Sequence, residues 1–460
     1  MKPMGDVLVL GLGRSGRAAA SVAAQLLADG RATSVRAVDS AETPELRLVA
    51  EELRALGVEV TLAATQIHGH FDVCVASPGI PPKAPLMKSA RAAADRVISE
   101  VEFAFRLSTQ LWIAITGTNG KTTTTALVTH LLNTAGIVAR SVGNFGPPAV
   151  EAVVAAAPGE VLVAEVSSFQ LASIDTFHPR VAVLLNITPD HADWHGSLES
   201  YAADKARVFA NLTLGDTAVV DVDDEGSRVW AEPLEERGVD VIRVSRSDSH
   251  ASGASSVKGV LVLETRGGPI RLIKADQLLI RGAHNVSNAL AAAAAAHALG
   301  ASPAALRVGL ATFEPIEHRL EPTGIIDGVA WFNDSKATNP DAVLKALTAF
   351  SEQPLVVLLG GRNKGNDFGP LAEAVSAQAK AVVLFGEARH ELGDAFRGLS
   401  VHAVTAVSLS DACEAASALA IPGDAVVLSP ACASFDEFTS YEHRGRAFKE
   451  WVVARAGGTV

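Results

Sequence analysis

Leu111-Trp-Ile-Ala-Ile115, Thr116-Gly-Thr-Asn-Gly-Lys-Thr-Thr123 and Ala126 to Leu132 read as an apolar strand, a glycine turn and a helix. A turn of this kind curls the backbone so that successive N–H groups face an anion, and the helix N-terminus adds a favourable dipole. Gly117 and Gly120 supply the freedom to curl. Lys121 can reach the terminal phosphates of a triphosphate, and Thr122 can ligate Mg2+. With Thr118, Asn119 and Thr123 they form a candidate cradle for ATP. The loop is shorter than GxxxxGK[ST], because Ile115 stands where the first glycine of that pattern falls. The plain competitor is an ordinary turn ending in a solvated lysine; the strand before and the helix after weigh against it.

Two more strands end in polar residues suited to the same loop. Val161-Leu-Val-Ala164 delivers Glu165, Ser167 and Ser168. A carboxylate at such a strand end can hold a magnesium ion or its water. Val181 to Leu185 runs into Asn186-Ile-Thr-Pro-Asp-His-Ala-Asp-Trp-His195, where His191 is a candidate ligand or proton acceptor. Alone, His191 reads more readily as a structural histidine than as a ligand; three strand ends converging on one phosphate loop reverse that balance.

Working outward, Val7–Leu10, Ser34–Val38 and Val73–Ala76 alternate with amphipathic stretches at Ala18–Ala28 and Glu45–Leu56. This is βαβ punctuation, which predicts a parallel sheet. A second series opens at Leu111. A third follows a break near Phe313 to Pro315, with strands at Val329–Phe332, Leu355–Leu359, Ala381–Phe385 and Ala425–Leu428. The polar segment Asp221 to Gly268 reads as a peripheral insertion, and Asn285 to Leu299 as a helix. The expectation is an α/β chain of three domains: Rossmann-like over 1–99, a central P-loop domain over 100–315, and Rossmann-like again over 316–460.

The 460 residues are 48% hydrophobic and 20% charged, which excludes a largely disordered chain. A formal charge of −12 argues against nonspecific nucleic-acid binding, which needs a basic surface to displace counterions. No apolar run reaches the ~18 residues of a membrane span, so no membrane anchor is expected. Cys74, Cys413 and Cys432 are too scattered for a disulfide framework or a CxxC metal site. They fit a reducing cytoplasm, as small buried residues. Gly11-Leu-Gly-Arg-Ser-Gly16 after a strand, with Asp39 ending the next one, is a literal GxGxxG. Taken alone it suggests NAD, although the same geometry suits any diphosphate.

Several strings occur in order: Gly117 to Thr122, Glu165-Val-Ser-Ser-Phe-Gln-Leu171, Asn186 to His191, His284-Asn285 with Asn288, Glu317-His-Arg319 and Asp334-Ser-Lys-Ala-Thr-Asn339. Together they resemble the Mur ligases, the ATP-dependent amino-acid-adding enzymes of peptidoglycan precursor synthesis. The resemblance covers essentially the whole chain. Within the family, Asp334 to Asn339, Gly360 to Phe368 and Ser429 to Phe438 look like the branch that adds D-glutamate to UDP-N-acetylmuramoyl-L-alanine.

The resemblance implies roles that spacing alone does not give. Thr122, Glu165 and His191 would serve Mg2+, and Asn144 would contact the muramoyl substrate. Lys205 would be carbamylated to hold a second magnesium ion, although alone it reads as a solvated helix lysine. Asn285, Asn288, Arg319, Asp334 and Lys336 would serve the nucleotide. Thr338, Lys364, Ser434, Phe435 and Tyr441 would serve D-glutamate; as a bare motif Lys364 is a solvated loop lysine. The N-terminal loop, with Gly13, Arg14, Ser15, Asp39, Ser77 and Gly79, would hold uridine diphosphate. Related enzymes often place an arginine two residues after that aspartate, where this chain has Ala41; Arg14 is the candidate to compensate.

The implied mechanism is attack of the alanyl carboxylate on the γ-phosphate, giving an acyl phosphate that the D-glutamate amine then attacks. Lys121, His191 and Lys205 would be its catalytic residues, with the third domain swinging onto the second. A monomer in the cytoplasm is expected. Rival readings are a Mur ligase adding another amino acid, an NAD-dependent dehydrogenase using the N-terminal motif, and a regulator that senses UDP-sugars.

Overall fold

A computed structural model describes residues 4–247, 253–350 and 353–456, the side chains of 192 and 193 excepted. Residues 248–252 of the expected insertion lie outside the described residues. Three sheets follow one another along the chain. The first comprises β1 (Asp6–Leu10), β2 (Ser34–Val38), β3 (Glu59–Thr61), β4 (Val73–Ala76) and β5 (Val97–Ser99), all parallel, in the order β3-β2-β1-β4-β5. Its order reverses between β1 and β4, so the loops after those strands flank the crevice where such sheets bind ligands. Val7 to Leu10 are wholly buried, as an interior strand covered on both faces requires.

The second sheet comprises β6 (Leu111–Thr116), β7 (Ala139–Gly143), β8 (Val161–Glu165), β9 (Val181–Leu184), β10 (Thr217–Asp221), β11 (Asp240–Ser245), β12 (Gly253–Val257), β13 (Val260–Thr265) and β14 (Gly268–Lys274). Its order is β14-β13-β12-β11-β10-β9-β6-β8-β7, parallel as far as β12 and antiparallel from there to β14. The strand that leads into the phosphate loop therefore lies between the two that deliver Asn186 and Glu165. The segment expected as a peripheral insertion instead extends this sheet through β11 to β13. Its polar composition reflects an edge with one wetted face, where alternation replaces a continuous apolar run.

The third sheet comprises β15 (Glu321–Ile326), β16 (Val329–Asn333), β17 (Leu355–Gly360), β18 (Ala381–Phe385), β19 (His402–Thr405) and β20 (Ala425–Ala431). Its order is β15-β16-β20-β17-β18-β19, and only the β15–β16 pairing is antiparallel.

The chain divides into two compact units, Met1–Ala275 with Ser287–Ala311, and Asp276–Val286 with Thr312–Val460. Within the first, helices Arg14–Ala28, Glu100–Leu107 and Ala149–Ala155 pack together, so the first two sheets share one apolar cluster. Glu102 sits inside it, accepting the backbone N–H groups of Asp175, Thr176 and Phe177, the Thr176 hydroxyl and Arg106 Nε. Burial alone would raise its carboxyl; those donors hold it below the usual range. All three cysteines are free and buried, as expected, and burial pushes the Cys74 and Cys432 thiols up to about 12. No helix among the described residues is long and apolar enough to cross a membrane.

Candidate active site

The loop after β6 has the curl its glycines predict. Gly120 adopts φ +81° and caps helix Lys121–Thr134, and a Cβ there would run into the Asn288 side chain. Gly117 lies at φ +153°, where a Cβ would meet Leu185 and the Asn186 amide. Asn186 staples the loop from the end of β9: its Oδ1 accepts from Asn119 N at 2.9 Å and its Nδ2 donates to Asn119 O at 3.1 Å. Thr118 is fixed equally well, its Oγ1 accepting from Thr188 N at 3.0 Å and lying 3.1 Å from the Tyr201 hydroxyl.

Two lysines meet at this loop. Lys121 Nζ donates to the carbonyls of Gly117 and Thr118, both at 2.9 Å. Lys205 Nζ donates to the same Gly117 carbonyl at 2.7 Å, 4.5 Å from the Tyr201 ring centroid. Lys205 is 2% exposed, so the solvated-lysine reading of the bare sequence does not hold. Burial, and then the Lys121 ammonium, push its pKa well below the usual lysine value. At the end of β8, Glu165 is buried; its Oε1 accepts from Asn144 Nδ2 at 2.6 Å, and its Oε2 has no hydrogen-bond partner. A buried carboxylate oxygen left so is a place for a cation or another donor.

His191 stands at φ +51° beside Asp190, its ring 4.7 Å from that of Phe169. Burial lowers its pKa, Asp190 opposes this, and Lys205 and Lys121 lower it further, which favours the neutral ring. No cluster of three or more His, Cys, Asp or Glu that could hold a metal occurs among the described residues. A cation here would draw protein ligands singly and complete its shell with water and phosphate oxygens, the habit of Mg2+. The glycine cradle, Thr122 in the first helical turn and the open oxygen of Glu165 fit a magnesium nucleotide.

The N-terminal loop is braced differently from a dehydrogenase reading. Asp39 accepts the N–H groups of Leu12 at 2.7 Å and Ala41 at 2.9 Å, and so closes the glycine loop itself. Gly13 caps helix Arg14–Ala28, in which Ser15 lies, and Ser77 Oγ donates to Gly11 O at 3.1 Å. Gly79 has open space where a Cβ would point. Arg14 Nη2 donates to Gly146 O at 2.5 Å, tying this loop to the one that carries Asn144.

In the second unit, the carboxyl ends of the adjacent strands β16, β20 and β17 lead to Asp334, Lys336 and Thr338, to Ser434 and Phe435, and to Lys364. Asp334 accepts from Ser429 Oγ at 2.7 Å and from Leu320 N at 3.3 Å; burial raises its carboxyl to about 7. Lys336 Nζ lies 3.9 Å from the Tyr441 ring centroid. Phe435 is 62% exposed, and Lys364 is exposed in its turn. Arg319 follows the buried His318. Asn285 Nδ2 donates to Arg281 O at 2.7 Å, on the helix Ala283–Ala298 that also carries Asn288.

Three residues were not singled out from the sequence. Arg444 is fully buried and reaches the ends of all three of those strands. Its Nε donates to Ser335 Oγ at 3.0 Å, and its Nη2 to Ser335 O at 2.9 Å and Cys432 O at 3.1 Å. Its Nη1 lies 3.4 Å from Gly360 O and 3.3 Å from Ala433 O. Tyr201 joins Thr118 to Lys205, and His195 joins Asp204 to Ser168. The available signs were two, arginines on the final helix Tyr441–Arg455 and aromatic and histidine residues crowded between Asp190 and Lys205.

A phosphate loop on a central parallel strand, flanked by paired lysines and a strand-end carboxylate, defines an ATP-using α/β enzyme. The Mur ligase middle domain matches residues 115–296, and the Mur ligase glutamate ligase domain matches residues 318–432. The chain belongs to the Mur ligase family. It is 40% identical over 455 residues to the UDP-N-acetylmuramoylalanine--D-glutamate ligase of Pelotomaculum thermopropionicum, covering 98% of each chain. To the enzyme of the same name from Frankia casuarinae it is 41% identical over 455 residues, 98% of this chain and 94% of that one. Among solved structures it is similar to the UDP-N-acetylmuramate-alanine ligase of Thermotoga maritima, with TM-score 0.57, 19% identity and 97% and 98% of the two chains covered. A folylpolyglutamate synthase from Mycobacterium tuberculosis, solved with ADP, matches with TM-score 0.57 and 19% identity over 76% of this chain and 94% of that one. These two likenesses speak for the fold.

Proposed function

We propose that the protein joins D-glutamate to the alanyl carboxylate of UDP-N-acetylmuramoyl-L-alanine, consuming ATP and releasing ADP and phosphate. The observation that carries the reaction class is the meeting of Lys121, Lys205 and the open oxygen of Glu165 around the Gly117–Gly120 loop. The near full-length similarity to D-glutamate ligases supports the substrate pair. In this reading residues 1–99 bind the UDP moiety, 100–315 the triphosphate and 316–460 the amino acid.

A carboxylate nearing the γ-phosphate meets like-charge repulsion, about 1 kcal/mol per unit pair at 4 Å in water and about 4 at an effective dielectric of 20. Lys121 offsets that charge, with Arg319 and Lys336 as further cations and Asn285, Asn288 and Asp334 as nucleotide-binding groups. Bound Mg2+ would neutralise phosphate oxygens, held by Thr122, Glu165 and His191. Lys205 supplies what carbamylation requires. A free amine attacks CO2, forms the N–C bond and loses a proton, leaving an anionic oxygen ligand; an ammonium cannot do this, and the depression of the pKa by burial raises the share of free amine. Neutral His191, in the state in which its ring does not ligate the metal, can take the proton released as the D-glutamate amine attacks the acyl phosphate. Thr338, Lys364, Ser434, Phe435 and Tyr441 are the amino-acid-binding residues. Gly13, Arg14, Ser15, Asp39, Ser77, Gly79 and Asn144 are those of the UDP substrate. Purified in the cytoplasmic fraction, the enzyme is expected as a monomer.

ADP production measured with UDP-N-acetylmuramoyl-L-alanine, with and without D-glutamate, tests the proposal. Turnover should require both substrates. Equal rates with L-alanine, L-lysine or diaminopimelate would refute the amino-acid assignment, and ADP release that needs no amino acid would refute the ligase reading.

A further inference from the structure

His195 closes the short helix Ala192–His195, and its side chain is wholly enclosed. Its Nδ1 lies 2.8 Å from Asp204 Oδ2, and its Nε2 lies 3.0 Å from Ser168 Oγ. Those partners belong to two different segments. Asp204 precedes Lys205 on helix Leu198–Ala206, whereas Ser168 opens helix Ser168–Leu171, three residues after Glu165. One imidazole thus spans the element that carries Lys205 and the strand end that carries Glu165.

The same three groups at the mouth of a cleft would form a hydrolytic triad. Here Ser168 is 2% exposed, and the ring is boxed by Phe169, stacked at 5.4 Å, by Trp194 at 4.3 Å and by Tyr201 at 5.1 Å. An acyl substrate has no path to the serine, so the array can hold but not attack. Asp204 as a carboxylate only accepts, so Nδ1 carries the proton; in the neutral ring Nε2 then accepts from the Ser168 hydroxyl. Such a chain polarises each of its bonds and fixes the ring in one tautomer.

We propose that His195 is a positioning residue for Lys205, acting through Asp204. A buried amine held to the Gly117 carbonyl needs its helix fixed in both height and roll, and two anchors flank it. Arg207 grips the carboxyl end of helix Ser168–Leu171, donating to Leu171 O at 2.8 Å and Ile174 O at 2.5 Å. The Asp204–His195–Ser168 chain grips the start of that helix. The inference rests on Lys205 serving the reaction as set out above.

Two conservative variants separate the anchors. In His195→Asn the amide nitrogen replaces Nδ1 and keeps the Asp204 bond; in His195→Gln the amide oxygen takes the place of Nε2, accepts from Ser168, and the Asp204 bond is lost. Amine-reactive labelling of the protein without substrates and stripped of CO2, so that Lys205 is present as the amine, read by peptide mass spectrometry, reports how well each lysine is sequestered. Losing a bond to a carboxylate in His195→Gln should raise labelling at Lys205 by about tenfold, leaving Lys121 unchanged. It should also lower kcat by about tenfold with the KM for D-glutamate within about twofold, while His195→Asn stays near wild type. Unchanged Lys205 labelling in His195→Gln, or equal effects in both variants, overturns the brace. Lys205→Ala is the separate control: full turnover there removes the catalytic role of Lys205, whereas the labelling result still decides whether His195 positions it.

Discussion

Replacing Arg444 with methionine removes one planar group from beneath the carboxyl ends of β16, β20 and β17 while keeping most of the stem volume. Three acceptors lie within 3.1 Å of the guanidinium, namely Ser335 Oγ, Ser335 O and Cys432 O, with Gly360 O and Ala433 O farther out. Each buried acceptor left without a donor costs about 1 to 3 kcal/mol. Against that loss, the variant no longer buries a charge, a penalty of several kcal/mol that is visible in the lowering of the Arg444 pKa to about 10. The difference is a net destabilisation of about 3 kcal/mol, and at roughly 2 to 4 °C per kcal/mol the Tm should fall by about 6 to 12 °C. Calorimetry measures the fall, and the KM for D-glutamate, measured well below the new Tm, should rise as the turns bearing Thr338, Lys364 and Ser434 lose their common anchor. Arg444→Lys should recover only part of both, since an ammonium cannot fork between carbonyls. A Tm within about 1 °C of wild type would refute the reasoning, because it would mean the acceptors are satisfied without the arginine.

Lys121→Ala should abolish ADP production while leaving the affinity for the UDP substrate, read by calorimetric titration, within about threefold of wild type; loss of both would contradict separate sites for the two nucleotides. Lys364→Ala should chiefly raise the KM for D-glutamate, and an unchanged KM removes that residue from the amino-acid site. Asp334 predicts a stability trend with pH. Its carboxyl is raised to about 7 from 3.8, so between those values the folded chain holds a proton that the unfolded chain has lost. That stability is full below the unfolded value and disappears as pH rises towards 7. Urea midpoints at pH 5 and pH 8 should therefore differ less in Asp334→Asn than in wild type; an identical difference would show that the carboxyl titrates normally.

The phosphate loop was legible because strand, turn and helix are contiguous, so every requirement of the cradle is written within thirteen residues from Leu111 to Thr123. Strands that are apolar on both faces, such as β6, β8 and β17, were equally plain. The short or half-wetted strands β3, β5, β15 and β19 escaped, since three to six residues with polar faces give no period to count. The site's supporting contacts were hidden by separation along the chain. Tyr201 lies 83 residues from Thr118 and Arg444 lies 109 from Ser335, and no local pattern marks such a pair. Lys205 shows the limit most clearly. Its neighbours in sequence describe an ordinary helix, and only the packing of Tyr201 and the Gly117 carbonyl around it removes water from the amine.

The apolar cluster common to the first two sheets has a bearing on how the chain can be cut. Helix Glu100–Leu107 belongs to the same hydrophobic layer as strands on either side of it, and Glu102 at its heart is clasped by a turn more than seventy residues downstream. A fragment ended just after β5 would strand half of that layer in water, and the remainder would keep the clasp without the carboxylate it was made for. Protease should find no site there that yields two durable pieces, and a nucleotide bound at either loop should protect both sheets together from exchange with heavy water.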